Sequence, residues 1–182
     1  MTTRWHAFAV RGVWPQRILI MALMGVSLAA LFTPASPASV RLIYNVSDSA
    51  PRGFYAVRHD VIRHGDWLLT RLPADAARLA AERRYLPSNV PLLKRVAALA
   101  GDHVCVRAGH VFVNHMVVAR VLNHDRQGRP LVPWTGCRTL DDCEVFVLGT
   151  HHAASFDSRY FGPIPRTATV GMAAPIWTWS AR

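Results

Sequence analysis

The sequence predicts a mainly β, mainly antiparallel domain with one short helix, preceded by an N-terminal membrane helix. Three observations lead there. From Val40 onward, short apolar runs are broken by Gly, Pro, Asn and Asp, the pattern of short strands and tight turns rather than of bundled helices. Ala108-Gly109 and Asn114-His115 separate such runs where hairpin turns need residues that tolerate unusual backbone angles. Ahead of them, Ile18 to Phe32 (ILIMALMGVSLAALF) carries no charge. A chain of 182 residues has room for one ordinary domain and a short extra segment. With 51% apolar and 18% charged residues it can bury a core, which excludes a disordered tail.

Taken in order, the first 17 residues hold Arg4, Arg11 and Arg17 and no acidic residue. The apolar run that follows is shorter than the ~20 residues that span a bilayer core, but the uncharged stretch Thr33 to Val40 can extend it. We read residues 1–39 as a cytoplasmic stub, an anchor at about 18–38 and a linker. The positive-inside bias then puts residues 40–182 outside, in the periplasm of a bacterial inner membrane. A cleaved secretory signal has the same pattern and is the competing reading. Strands are expected at Arg41 to Tyr44, Phe54 to Arg58, Asp66 to Arg71, Arg95 to Leu99, His103 to Arg107, His110 to Val113, Val117 to Leu122, Glu144 to Leu148 and Thr169 to Trp177. Pro73 to Tyr85 (PADAARLAAERRY), with an early Pro, many Ala and late Arg, is the one soluble helix candidate.

Three segments offer chemistry. Ser47 and Ser49 lie just before a Pro-Arg-Gly turn at Pro51 to Gly53, which fixes an exposed bend, but a serine hydroxyl needs a base to attack a carbonyl. Lys94 is the only lysine in a chain with twenty arginines. Arginine stays protonated, whereas desolvation can neutralise a lysine and make it a base. Bringing that amine from ~10.4 to about 7 takes roughly 5 kcal/mol of burial. Asp157 and Arg159 are two residues apart, share a face in extended chain, and read as an ion pair.

In this order the segments resemble the signal peptidase I family of Ser/Lys proteases, and more closely its conjugative-transfer TraF branch. Ser47-Asp48-Ser49-Ala50-Pro51 is similar to the family's Ser-x-Ser followed by Pro, and Pro51, Gly53 and Tyr55 match the Pro-x-Gly-x-Tyr ending of that branch. Lys94, Arg95, Gly101 and Asp102 match its Lys-Arg-x-x-x-x-x-Gly-Asp box. Ser155, Asp157, Ser158, Arg159, Tyr160 and Gly162 match its Ser-x-Asp-Ser-Arg-Tyr-x-Gly box. The resemblance implies Ser49 as nucleophile, with Ser47 as the second choice, and Lys94 as general base. It further implies that Ser155 bonds the lysine and that Asp157 and Arg159 brace the site. The Ser49 N–H and the Ser47 hydroxyl are the expected oxyanion donors. Two departures stand out: Gly149-Thr150-His151-His152 replaces the Gly-Asp-Asn of the signal peptidase I branch, and Ala50 stands where its bacterial members have Met. The implied activity is membrane-bound endopeptidase action on exported precursors, with pilin-like subunits of conjugative transfer or type IV secretion as the expected substrates, by cleavage with or without ring closure.

The remaining signals are weaker. Nine histidines form no familiar ligand spacing with the cysteines, so no metal and no cofactor is expected. A Ser-His-Asp triad through His151 or His152 lacks a nucleophile-elbow motif. Cys137 and Cys143 can close a small disulfide loop, leaving Cys105 as a buried thiol; Cys105 with Cys137 is the competing pair. The formal charge of +10, with Trp134, Trp177 and Trp179, suggests contact with anionic lipid, and nucleic acid is not expected as a partner. The rival class is a membrane-tethered basic binding protein of the transfer apparatus, for which no chemistry is needed.

Overall fold

The computed structural model describes residues 19–25 and 42–179. Residues 19–25 are helical. The rest of the anchor expected at about 18–38 lies outside the described residues, and among the described residues no helix is long and apolar enough to cross a membrane.

Among the described residues eleven strands form two antiparallel sheets: β1 (Leu42–Asn45), β2 (Arg52–Arg58), β3 (Trp67–Thr70), β4 (Leu92–Ala98), β5 (His103–Arg107), β6 (His110–Val113), β7 (Met116–Arg120), β8 (Gly136–Thr139), β9 (Glu144–Leu148), β10 (Ile164–Pro165) and β11 (Thr169–Trp179). Helix α1 (Ala74–Glu82) follows β3, a short helix α2 (Ser158–Phe161) follows β9, and one 3-10 turn spans Arg166–Ala168. The larger sheet runs β1-β2-β11-β3-β4-β9-β10 and the smaller β7-β6-β5-β8. The mainly β, antiparallel expectation therefore holds, with more helix than the single segment foreseen.

Local sequence explains the elements. In β6 and β9 the inward positions are Val, Phe and Leu, and β-branched and aromatic side chains pack well on a pleated surface. Both hairpin turns of the smaller sheet hold two left-handed residues, Ala108 (φ 47°) with Gly109 (φ 72°) and Asn114 (φ 48°) with His115 (φ 70°). That is the geometry of a two-residue turn matched to strand twist. The structure adds β8 and β10, which carried no apolar run to betray them: β8 is Gly-Cys-Arg-Thr and almost entirely exposed.

The structure decides between the two cysteine pairings that the sequence left open. The disulfide joins Cys105 to Cys137, and Cys143 is free and exposed. The reason is the ladder: Cys105 and Cys137 face each other across β5 and β8, so the pairing is set by strand register rather than by the short spacing to Cys143. Trp134 is half-buried. It packs on Phe146 with ring centroids 6.0 Å apart, and a methyl group on Gly136 or Gly162 would come within 2.5 or 2.8 Å of its ring.

Three apolar clusters fill the domain. One, around Val104, Val111, Phe146 and Leu148, joins the smaller sheet to β9. A second, around Tyr55, Trp67, Leu69 and Leu93, underlies β2, β3 and β4. The third (Leu68, Val96, Val145, Val147, Ile164) is built by β3, β4, β9 and β10 of the larger sheet. Leu68 is directly opposite Lys94 in the β3–β4 ladder, so the two side chains share a face. The lysine thus emerges from an apolar surface.

Candidate active site

The segment after β1 is shaped by Asn45, a buried residue that the sequence reading did not single out. Its Nδ2 donates to the carbonyls of Ser47 (3.0 Å), Ala50 (3.1 Å) and Pro51 (3.0 Å). Three carbonyl partners fix the amide orientation, because carbonyls only accept. Asn45 Oδ1 then accepts from the Ser47 N–H (3.1 Å) and the Ser47 hydroxyl (2.9 Å). With its one proton on Asn45, Ser47 Oγ can only accept from Ser49, whose Oγ is 3.0 Å away. The Ser49 proton therefore rests on Ser47. Tyr55, fully buried, donates to the Pro51 carbonyl (2.7 Å) and ties the far end of the loop to β2.

Lys94 is 2% exposed on β4. Strand alternation sends its neighbour Arg95 to the opposite face, where the guanidinium lies 4.8 Å from the centroid of the Trp67 ring. The Lys94 ammonium donates to Ser155 Oγ. Burial lowers the Lys94 pKa to about 8; Asp157 opposes this by attraction, and Arg159 adds to it by repulsion. At pH 7 about a tenth of the molecules then carry the neutral amine, against fewer than a thousandth at the ordinary lysine value.

Behind Ser155 sits a buried ion pair. Asp157 is 0% and Arg159 2% exposed. Arg159 Nε and one terminal nitrogen grip the two carboxylate oxygens at 2.8 and 2.7 Å, the bidentate geometry in which such pairs are strongest. The guanidinium also donates to the carbonyls of Arg120 (2.9 Å), Ala153 (2.9 Å) and Ser155 (3.3 Å), which clamps the loop bearing Ser155. The pair was read from extended chain; instead Asp157 caps α2, accepting from the Arg159 N–H, and Arg159 lies within that helix. Ser158 is buried and accepts from the Val147 N–H (3.0 Å), so it braces β9.

Gly149 closes this arrangement. Its N–H donates to Asp157 (2.7 Å), and a methyl group at its Cα would lie 2.0 Å from Ser155 Oγ and 2.5 Å from Ser155 Cβ. Gly149→Ala must push Ser155 off Lys94. We expect a loss of activity of at least a hundredfold in kcat, because small misplacements of a catalytic group cost that much, and a thermal denaturation scan should show the variant still folded.

Ser47, Ser49, Lys94 and Ser155 line one cleft of about 660 Å3, floored largely by apolar side chains such as Leu86, Leu92, Leu93 and Phe156. The structure thus places four of the six residues singled out by sequence, Ser47, Ser49, Lys94 and Ser155, on one cleft, and the other two, Asp157 and Arg159, brace it from behind Ser155. The alternative histidines go elsewhere. His151 bonds the Thr150 hydroxyl (3.1 Å) with its ring against Trp67, and His152, on the cleft wall, uses Nδ1 to accept from the Ala154 N–H (3.0 Å). Asp102, at the end of the Lys-Arg box, is a fold residue: it accepts from the Leu99 N–H (2.8 Å) and Asn114 Nδ2 (2.7 Å) and pairs with His64 (2.5 Å).

The apolar cleft, with Ser47, Ser49 and Ser155 and a buried amine opening on it, holds the groups that serine-type acyl transfer needs. The chain belongs to the signal peptidase family, peptidase S26, whose model matches residues 13–179. It is 33% identical over 145 residues to the conjugal transfer protein TraF of Agrobacterium fabrum, covering 74% of this chain and 81% of that one. It is 31% identical over 176 residues to a plasmid transfer protein TraF of Escherichia coli, covering 90% and 99%. It is 30% identical over 174 residues to a probable conjugal transfer protein TraF of Sinorhizobium fredii, covering 89% and 90%.

Proposed function

We propose that the protein is a membrane-bound serine endopeptidase that uses Ser49 as nucleophile and Lys94 as general base on exported precursor proteins, pilin-like subunits of a conjugative transfer system being the expected substrates. The single observation carrying this is a sole lysine, buried yet able to lose its proton near pH 8, opening on the same cleft as Ser49. In the first step the Ser49 hydroxyl rotates from Ser47 towards Lys94. The amine takes its proton as Oγ bonds the substrate carbonyl carbon. The oxyanion receives the Ser49 N–H and the Ser47 hydroxyl, whose proton swings off Asn45 while the Ser47 N–H keeps that oxygen occupied. Each such donor contributes ~3 kcal/mol to the barrier reduction. The C–N bond then breaks, the departing amine takes the proton from Lys94, and an acyl-enzyme remains. Water, or an amine of the substrate itself, releases the acyl group.

Location at a lipid surface is supported by an exposed aromatic cluster. Tyr44, Phe54, Trp177 and Trp179 contact one another on β1, β2 and β11, with Trp177 69% exposed, and amphipathic rings favour membrane interfaces. Tyr44 also lines the cleft, so substrate bonds near a membrane come within reach. A disulfide between Cys105 and Cys137 accords with a periplasmic domain.

The test is to incubate membranes carrying wild type or Ser49→Ala with candidate pilin precursors and weigh the products. A peptidase yields shortened products that Ser49→Ala does not make; a product one water lighter than the hydrolysed fragment marks ring closure. Precursor unchanged by the wild type, or equally cut by Ser49→Ala, contradicts the proposal.

A further inference from the structure

The cleft has a second, charged wall that the proposed chemistry does not use. Two loops build it, one following α1 and one at residues 125–129. They are joined through Asp125, which accepts from the Tyr85 hydroxyl, from Arg129 Nε (2.6 Å) and from the N–H groups of Gln127 (2.8 Å) and Arg129 (2.9 Å). Arg83 adds a bond to the Pro130 carbonyl (2.9 Å). The weld leaves two neighbouring arginines outside it. Arg84 stands at φ 59°, a left-handed conformation that costs a non-glycine residue about 1 kcal/mol, and Arg126 sits at the tip of the second loop. Both are exposed and line the cleft, and neither pairs with a carboxylate among the described residues. The cleft's own carboxylates are committed elsewhere: Asp125 as above, and Asp48 to Arg52 at 2.8 Å.

We propose that Arg84 and Arg126 select a peptide substrate carrying an Asp or Glu side chain at a fixed distance from the scissile bond. This rests on the peptidase reading of the cleft. Charge complementarity argues for it: two guanidinium groups unpaired among the described residues line a cleft whose own carboxylates, Asp48 and Asp125, are already engaged. The apolar floor weakens solvent screening of an acid bound there, and Arg is suited to fork-like recognition of carboxylate. A lipid headgroup is the less favoured ligand, because these cations line the cleft rather than the exposed aromatic face.

The test uses the full chain in detergent as Ser49→Ala, with two pools of random dodecapeptides, one containing Asp and Glu and one in which Asn and Gln replace them. At 50 mM salt the acidic pool should be retained about tenfold better, with the acid enriched at one position, and the margin should shrink at 500 mM. With Arg84→Ala and Arg126→Ala added, the two pools should be retained alike. Arg126→Glu in place of Arg126→Ala should enrich peptides with Lys or Arg, which separates lost recognition from lost folding. No acid preference in Ser49→Ala, or a preference that survives both substitutions, overturns the proposal. So does loss of binding to phosphatidylglycerol vesicles with the peptide preference intact. Digestion of the same pools by wild type is scored separately: absence of any cleavage strikes the peptidase reading, while the retention data still decide the arginines' role.

Discussion

Lys94→Met should abolish cleavage, by ~10^4-fold or more in kcat as for other residues that act as a catalytic unit, and should at the same time raise stability near neutral pH. The second half follows from linkage. The folded-state pKa is about 8 and the unfolded one ~10.4. Between these values the unfolded chain binds more protons than the folded one, so wild-type stability increases with pH across that window. Below pH 8 the full penalty of holding a charged amine in an apolar surface is present, on the order of 3 kcal/mol. Methionine has similar length and no charge. It removes the penalty but leaves Ser155 Oγ without its partner, at a cost of about 1 to 2 kcal/mol. The net expectation in urea titrations is a variant more stable by about 1 to 2 kcal/mol at pH 7, with the advantage gone by pH 10.5. A variant less stable than wild type at pH 7 would show that the amine is not held against its charge.

Asp157→Asn should have the largest effect on stability. It leaves the Arg159 guanidinium, 2% exposed, facing a neutral amide, and breaking a buried pair by removing one partner typically costs 3–5 kcal/mol. For a chain of this size that corresponds to a fall in Tm of about 10 °C. The same change should alter the pH dependence of catalysis. Asp157 holds the Lys94 pKa up and Arg159 pushes it down, so without the carboxylate the amine loses its proton more readily. The acid limb of the kcat/KM profile should move to lower pH even as the protein loses stability, a pair of opposite responses that a purely structural role for Asp157 would not produce.

Much of this site was legible in the chain because its chemistry is written in unusual choices. A single lysine among twenty arginines marks the one Lys or Arg side chain that burial can bring to release its proton, and its alternation with Arg95 on a strand explains why one is buried and the other stacks on Trp67. The hairpins were readable from turn residues, and they carry the left-handed angles such turns require. What escaped depends on distant partners. Cys105 and Cys137 are 32 residues apart, and only the β5–β8 register brings them together. Helix α2 is four residues long, too short for any periodicity. Gly149 is required by the Ser155 side chain across the site, which no local pattern records. Asn45 is different: an Asn two residues before a Ser in a turn-rich stretch is a known source of side-chain to backbone bonds, and that signal was available.

The most direct measurement uses the chain's own economy of lysine. With one lysine in the sequence, protein labelled with 13C at the lysine Cε gives a single side-chain resonance, and its titration reports the Lys94 amine alone. The account predicts a midpoint near pH 8, coinciding with the acid limb of kcat/KM and moving to lower pH in Asp157→Asn. A midpoint near 10.4, or one that the rate profile ignores, would contradict it.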